Sequence, residues 1–494
     1  MTPADFIAAL NAPARARQPA LRGLAGTWTY GELSGHVQAW ARALAAHSPR
    51  VIATLLDNGP QWIALDLACM SVGVAHLPLP LFFTPAQRLA ALQAAGADFL
   101  ICPAAALPAL LPLPEAGPSR ALPAGLVLQP LLISPADLPA GTAKITFTSG
   151  STGQPKGVCL SGAQMLAVGG GLARATQRLH IGIHLCVLPL PVLLENVAGV
   201  YAPLIEGAAI DVPPLAATGL RGSSSFDPPR FHAALQAARA NSVIVLPQML
   251  RAYAQWLAAT GTSVTAPLSL MAVGGAAVGA PLLQAARRLG LPVYEGYGLS
   301  EGASVQCLNL PGADQPGSAG RALPHARIRV AADGEIEISG SPFLGYLGHP
   351  PPTGSWWATG DLGRLDAAGF LHVEGRKKNV LITSFGRNVS PEWVELELAG
   401  KPAIGHAVVL GENQPVLGAV IWPQGQRSDD EIAADIASVN ETLPDYARIG
   451  RWMRGRADFS AQSGLATPNG RPVRAAILQR HADMFQTSAH VFQV

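Results

Sequence analysis

Between Phe147 and Val158 the sequence reads FTSGSTGQPKGV. From Thr148 to Gly153 every residue is a hydroxyl residue or a glycine: Thr148, Ser149, Gly150, Ser151, Thr152, Gly153. Lys156 follows, after Pro155. Glycines let a backbone approach a ligand closely, and successive N–H groups with Ser and Thr hydroxyls form an anion nest. A lysine a few residues on adds a point charge for phosphate. The stretch therefore reads as a phosphate-binding loop rather than a surface turn. It is not of the Walker type, because no Gly-Lys-Ser/Thr ends it. Three further stretches carry suitable groups. In YEGYGLSE (294–301), Tyr297 can stack on a base, Ser300 can reach a phosphate and Glu301 can hold Mg²⁺. TGD (359–361) puts Asp361 in a turn behind Trp356 and Trp357. GRKKN (375–379) is a basic cluster. Taken singly, these three are ordinary structural features: a strand end, a turn residue and a solvated face.

The elements that must position these groups follow from periodicity. Apolar residues at helical spacing over 31–46, with Val37, Trp40, Ala41 and Leu44 on one face, predict a helix. A strand at 51–56, a helix at 60–72, a strand at 75–79, a helix at 85–96 and a strand at 99–102 follow. Such alternation marks a parallel sheet covered on both faces. Residues 103–142 are rich in Pro, Ala and Leu and read as an irregular connection. Beyond them come a strand from 145, the hydroxyl loop and a helix over 161–176, so the loop is expected to run from a strand into a helix. A strand is expected to end near Tyr294. After 320, hairpins are predicted over 326–340, around Asp333-Gly334, and over 360–376. From about 377 the pattern is that of a small α+β unit. The fold class is α/β, with a large multi-sheet N-terminal domain over 1–376 and a small C-terminal domain over 377–494.

Composition narrows the function classes. The 494 residues are 49% apolar and 13% charged, which argues against disorder. A net charge of +2 gives no case for a nucleic-acid partner. No apolar run is long enough for a membrane span, and the N-terminus lacks a signal-peptide pattern. Five scattered cysteines without a C-x-x-C pair fit a reduced, cytoplasmic protein with no zinc site.

Together, and in this order, the four stretches resemble the adenylate-forming superfamily: acyl- and aryl-CoA synthetases, luciferases and the adenylation domains of peptide synthetases. FTSGSTGQPKG looks like its phosphate loop, GGAA (274–277) its adenine-side strand end, YGLSE its Tyr-Gly-x-Thr-Glu motif, and TGD then GRKK its ribose-binding pair and hinge. TYGEL (29–33) and the stretch from Asn58 to Pro78 resemble its opening segments, so the likeness spans essentially the whole chain. The resemblance implies an AMP-forming ligase that joins a carboxylic acid to a thiol through an acyl-adenylate, using ATP and Mg²⁺. By motif it assigns Thr148, Ser149, Gly150, Ser151, Thr152, Gly153 and Lys156 to the β/γ-phosphates, and Gly275, Ala276 and Tyr297 to the nucleotide. It assigns Ser300 to the α-phosphate, Glu301 to Mg²⁺, and Asp361 and Arg376 to the ribose. Lys378 falls at the hinge of a mobile small domain. Gly386, in SFGRNVSPEWVE (384–395), falls beside the tunnel of the pantetheine arm.

Three positions depart from the family pattern. The C-terminal motif ATPNGRPVR (466–474) has Arg471 where a lysine bridges carboxylate and α-phosphate. Arg keeps the charge but not the shape. LPLPVLLEN (188–196) resembles the long-chain acyl branch, with Val192 where an aromatic residue or His is usual. Asn379 replaces a frequent Asp after the hinge. No Asp suited to an α-amino group is present and Glu195 falls on the long-chain branch's own Glu, so an amino acid is disfavoured. The mostly apolar stretches 195–204, 244–249 and 271–276 leave aliphatic and aromatic acids both open. So is the acceptor: CoA, or the 4'-phosphopantetheine arm of an acyl carrier protein that would dock on Arg448, Arg451, Arg454 and Arg456. From a different class, Arg471 raises a non-catalytic nucleotide- or acyl-binding relative, against which the intact phosphate loop, Glu301 and Asp361 stand.

Overall fold

A computed structural model describes the chain except residues 111–115, 149–155, 223–224, 385–386, 468–469, 486–489 and 492–494. Of the expected site residues, Ser149, Gly150, Ser151, Thr152, Gly153 and Gly386 lie outside the described part, and Thr148 is described only as backbone.

Local sequence sets the helix ends. Tyr30–Ala45 starts at a capping box in which Thr29 and Glu32 bond each other's backbone N–H groups. Pro60–Val72 begins with Pro at its first turn and ends at Gly73 in the left-handed conformation. Gly162–Thr176 opens on a second box, Ser161 with Gln164. These helices cover two large sheets. One runs, in spatial order, Arg321–Ala322, Ser304–Leu308, Val293–Leu299, Leu270–Val273, Ser242–Val245, Ile183–Leu185, Ala209–Asp211, Pro19–Gly23 and Gly26–Thr29. The other runs Gly345–Tyr346, Lys156–Leu160, Lys144–Thr148, Ala75–Pro78, Val51–Thr54, Phe99–Pro103, Leu126–Pro130 and Arg120–Ala121. Both are parallel at the centre and antiparallel at the edges, where only a parallel arrangement was expected. A third, antiparallel sheet runs Arg327–Val330, Glu335–Ser339, Trp357–Leu365 and Leu371–Arg376.

Three expectations are corrected. The hydroxyl loop does not lead into a helix: Lys156–Leu160 is a strand that pairs antiparallel with Lys144–Thr148, so the loop tops a hairpin. The connection 103–142 holds a strand, Leu126–Pro130, paired antiparallel with Phe99–Pro103. The strand reaching Tyr294 continues to Leu299 and carries the whole YEGYGL stretch in sheet.

Beyond the third sheet, the chain builds a separate apolar core around Val394, Leu398, Val409, Ala419, Ile421, Ile432, Ile436 and Trp452. Its sheet runs Ile404–Leu410, Leu417–Pro423, Ile449–Arg454 and His490–Val491. The helix Pro391–Ala399 faces the larger part, where Arg251 donates to the Ala399 carbonyl at 2.6 Å.

A buried polar cluster crosses the larger core. Asp66, on the otherwise apolar helix Pro60–Val72, meets Lys144 Nζ at 2.8 Å and His76 Nδ1 at 2.5 Å. Its other oxygen accepts Tyr201 O–H at 2.6 Å and Asn196 N–H at 3.1 Å. Lys144 also donates to Asn196 and, at 3.0 Å, to Tyr201. Every member is nearly sealed from solvent, so each charge is matched as burial requires.

Candidate active site

Strand register assembles the first half of the site. Asp361 pairs directly with Arg376 across the strands Trp357–Leu365 and Leu371–Arg376. Their side chains meet, Arg376 Nε lying 2.8 Å from Asp361 Oδ1. Tyr297 O–H donates to Asp361 Oδ2 at 2.7 Å. TGD lies within the strand Trp357–Leu365 rather than in the turn expected, and Thr359 holds it there: its hydroxyl donates to the Ile336 carbonyl at 2.7 Å and accepts Asp361 N–H at 3.1 Å. Burial pushes the Asp361 carboxyl above its usual range, while the Arg376 charge and the Tyr297 hydroxyl pull it back. The result is a fixed carboxylate with lone pairs left to accept from hydroxyl groups.

The second half grows from YGLSE. Ser300 and Glu301 sit in the tight turn Ser300–Gly302 that follows the strand Val293–Leu299. Gly298 is required there, because a Cβ would lie 2.3 Å from the Ser304 carbonyl oxygen. Glu301 Oε1 accepts Tyr346 O–H at 2.7 Å. Lys156, exposed at the start of its strand, holds its ammonium 5.1 Å from the centroid of the same Tyr346 ring. Tyr346 thus joins the lysine after the phosphate loop to the carboxylate of the YGLSE stretch. Sequence reasoning passed it over; its signal was the FLGY stretch ahead of the two tryptophans. A divalent cation suits this donor set, since Mg²⁺ takes one or two carboxylates plus substrate phosphates. Among the described residues, no hydrogen bond engages Glu301 Oε2.

Gly275 and Ala276 are exposed just past the end of the strand Leu270–Val273. Beneath them the Glu295 carboxyl accepts Val278 N–H at 3.2 Å, and burial pushes it up to about 7. Arg471, from the C-terminal part, donates to the Gly275 carbonyl at 2.8 Å. Desolvation, then the Arg376 charge, holds Arg471 below its usual value; Asp361 and Glu301 pull the other way. Lys378 is depressed by partial burial and by Arg376, Arg471 and Lys156, with Asp361 again opposing. Lys156, Glu301, Asp361, Arg376, Lys378 and Arg471 therefore form one electrostatically coupled cluster, an excess of cations over carboxylates suited to a polyphosphate.

The remaining expected positions have plainer surroundings. Glu195 is buried, with His184 Nε2 at 2.9 Å and Leu188 N–H donating to it at 3.1 Å, so it is not available to an amino group. Of the arginine run, Arg454 pairs with Asp429 at 2.7 Å, Arg456 with Asp483, and Arg448 donates to the Leu443 carbonyl at 3.3 Å. Asn379 donates to Glu392 at 2.5 Å.

Residues 9–345 match the AMP-binding enzyme family, and residues 378–488 match the AMP-binding enzyme C-terminal domain. The chain belongs to the AMP-binding enzyme family. Among curated relatives, a feruloyl-CoA synthase from Amycolatopsis sp is 32% identical over 82% of this chain and 86% of its own length. The long-chain-fatty-acid–CoA ligase FadD15 from Mycobacterium bovis is also 32% identical, over 47% of this chain. That match spans 43% of the relative, less than half its length. Among solved structures, the o-succinylbenzoate CoA synthetase MenE from Bacillus subtilis, in complex with the acyl-adenylate intermediate OSB-AMP, shares the fold at a TM-score of 0.75. It is 22% identical, and the alignment covers 99% of each chain. A second structure of that enzyme holds ATP and a magnesium ion.

Proposed function

We propose that this protein is an ATP-dependent, AMP-forming acid–thiol ligase, an acyl-CoA synthetase acting on an aliphatic or aromatic carboxylic acid. The observation that carries this reading is the convergence of Asp361, Arg376, Tyr297, Glu301, Lys156 and Arg471 into one coupled cluster, with Arg471 delivered from the smaller part.

In the first step a carboxylate oxygen bonds to the α-phosphorus and the bond to the bridging oxygen breaks, pyrophosphate leaving with the electron pair. In the second a thiolate sulfur bonds to the acyl carbon and AMP leaves. Such chemistry rests on positioning and charge stabilisation. Asp361, held by Arg376 and Tyr297, accepts from the ribose hydroxyls. Lys156 and the loop 148–157 hold the β/γ-phosphates. Ser300 meets the α-phosphate, and Arg471 meets the charge gathering between it and the carboxylate. Glu301 would hold Mg²⁺, which when bound offsets polyphosphate charge. Gly275 and Ala276 border the adenine and Lys378 is the pivot, while Gly386 keeps its pantetheine-arm role by resemblance alone. The domain boundary at 376–378 is supported by the separate core that begins beyond it.

An apolar acid is favoured by Leu194, Ala198 and Ala272, partly buried residues that pack against both main apolar clusters, and by Val192 at a position usually filled by a larger ring. CoA is the favoured acceptor: the curated relatives are CoA ligases, and ion pairs already neutralise two of the four arginines offered for a carrier-protein dock. A cytoplasmic setting is supported by five cysteines that are all free and buried. Among the described residues, no helix is long and apolar enough to cross a membrane.

The deciding test is ATP–pyrophosphate exchange over a panel of fatty and aryl acids. At least one acid should support exchange; none doing so overturns the assignment. With that acid in hand, Lys156→Ala should weaken ATP binding by roughly 1.5–3 kcal/mol, one charge-assisted contact. Unchanged affinity and exchange rate would remove Lys156 from the phosphate site.

A further inference from the structure

Arg471 reaches the cleft only while the small domain stands in the orientation seen here, so something must hold that orientation. The chain passes the pivot at Lys377–Asn379. Just beyond, the helix Pro391–Ala399 opens with Ser390 and Glu392 folded back on the pivot. Ser390 O–H donates to the Glu374 carbonyl at 2.6 Å, a bond that crosses from the small domain to the last strand of the large one. Gly375, at φ +153°, lets the two parts close: a Cβ there would stand 1.9 Å from Ser390 Oγ and 2.9 Å from Glu392 Oε2. The Glu392 carboxylate then works in two directions. Its Oε1 accepts from Asn379 Nδ2 at 2.5 Å and lies 3.3 Å from the Arg474 guanidinium. Arg474 is clamped by Glu395 at 2.6 and 2.7 Å and stands three residues after Arg471. One side chain therefore ties the pivot to the segment that carries the cation into the cleft.

Resting on the function proposed above, we propose that Glu392 is a positioning residue: within the small domain it fixes the pivot through Asn379 and the segment carrying Arg471 through Arg474, and with the Ser390–Glu374 bond across to the large domain this latches Arg471 in place against Gly275. The departure at 379 gains a physical reason. An Asp there would set a second carboxylate against Glu392 at hydrogen-bond distance, where Asn instead donates. The chain has a neutral donor where its acidic latch needs one.

The test uses Asn379→Asp, Glu392→Gln, their combination and Ser390→Ala in the full chain, each checked for an unchanged melting transition. Asn379→Asp should slow adenylation by at least about fivefold, the low end of a coupling between two positions. Transfer of the acyl group from pre-made acyl-adenylate to the thiol should be unchanged or faster. Glu392→Gln in that background should restore adenylation, and Ser390→Ala should give the same signature in smaller measure. Asn379→Asp should add nothing to Arg471→Ala, because a latch matters only through what it delivers. Equal slowing of both steps, additivity with Arg471→Ala, or no rescue by Glu392→Gln would overturn the proposal. A second readout needs no turnover: the distance between spin labels on engineered cysteines, one in each domain. Asn379→Asp should shift that distribution away from the docked distance, and an unshifted distribution overturns the latch. If the wild type exchanges pyrophosphate with no acid, the proposed function fails while the distances still decide the latch.

Discussion

Arg471→Ala is expected to slow adenylation by about 10²–10³-fold, the typical loss on removing one electrostatic stabiliser of a transition state. Thiol transfer from pre-made acyl-adenylate should stay near the wild-type rate. The family pattern has a lysine here, and the geometry explains how an arginine can serve. Its guanidinium bonds the Gly275 carbonyl through one nitrogen, which leaves the rest of the planar fork for two oxygens of the reacting groups. It also stands within electrostatic reach of Asp361 and Glu301, so the cation is already aimed when substrate arrives. Arg471→Lys should keep partial activity: charge returns, but the Gly275 bond and the transition-state contact can no longer be made by one side chain. Single-turnover measurement of each half-reaction separates these outcomes. Wild-type adenylation in Arg471→Ala would mean that the cation comes from elsewhere, Lys156 first, and that Arg471 does not take the place of the family's lysine.

The motifs were legible because each is short and chemically demanding. Tyr297 and Asp361 lie far apart in sequence yet share a hydrogen bond, and the order of stretches alone placed both in one site. What escaped the sequence was set by tertiary contact. The stretch 295–299 contains Gly296 and Gly298, which disfavour a strand in isolation. It is strand because the neighbouring backbone comes too close for any side chain at 298. The strand Leu126–Pro130 was hidden by the prolines around it, tolerable because the partner Arg120–Ala121 covers it for only two residues. The hairpin under the phosphate loop was hidden because KGVCL is as apolar as a buried helix start. The roles of Tyr346, Glu392 and the Asp66 cluster come from partners distant in sequence, and periodicity is blind to those.

The Asp66 cluster gives the largest expected effect on stability. Lys144 opens the strand that leads into the phosphate loop, and its ammonium pairs with Asp66 where neither is reached by solvent. Removing one partner of a buried pair leaves an uncompensated charge, at a cost of about 3–5 kcal/mol. Lys144→Met keeps the length of the side chain and removes its charge, so a loss of unfolding free energy of that size is expected in urea denaturation. The pH dependence identifies the cause. Burial alone would raise the Asp66 carboxyl, but the Lys144 charge and the His76 hydrogen bond outweigh it and hold the group well below the usual carboxylate range. A depressed carboxylate contributes stability that is present above its unfolded value, near pH 4, and is lost as pH falls through its folded value. Without Lys144 that contribution disappears and burial dominates. The deficit of Lys144→Met should therefore be full at pH 7 and shrink as pH falls below about 4, where the unfolded carboxyl is protonated as well. Asp66→Asn combined with Lys144→Met should recover part of the loss at pH 7, since no lone charge remains buried. A deficit that is equal at both pH values and unrelieved in the double variant would trace the loss to packing around the Lys144 stem, against Trp62 and Tyr201, rather than to charge.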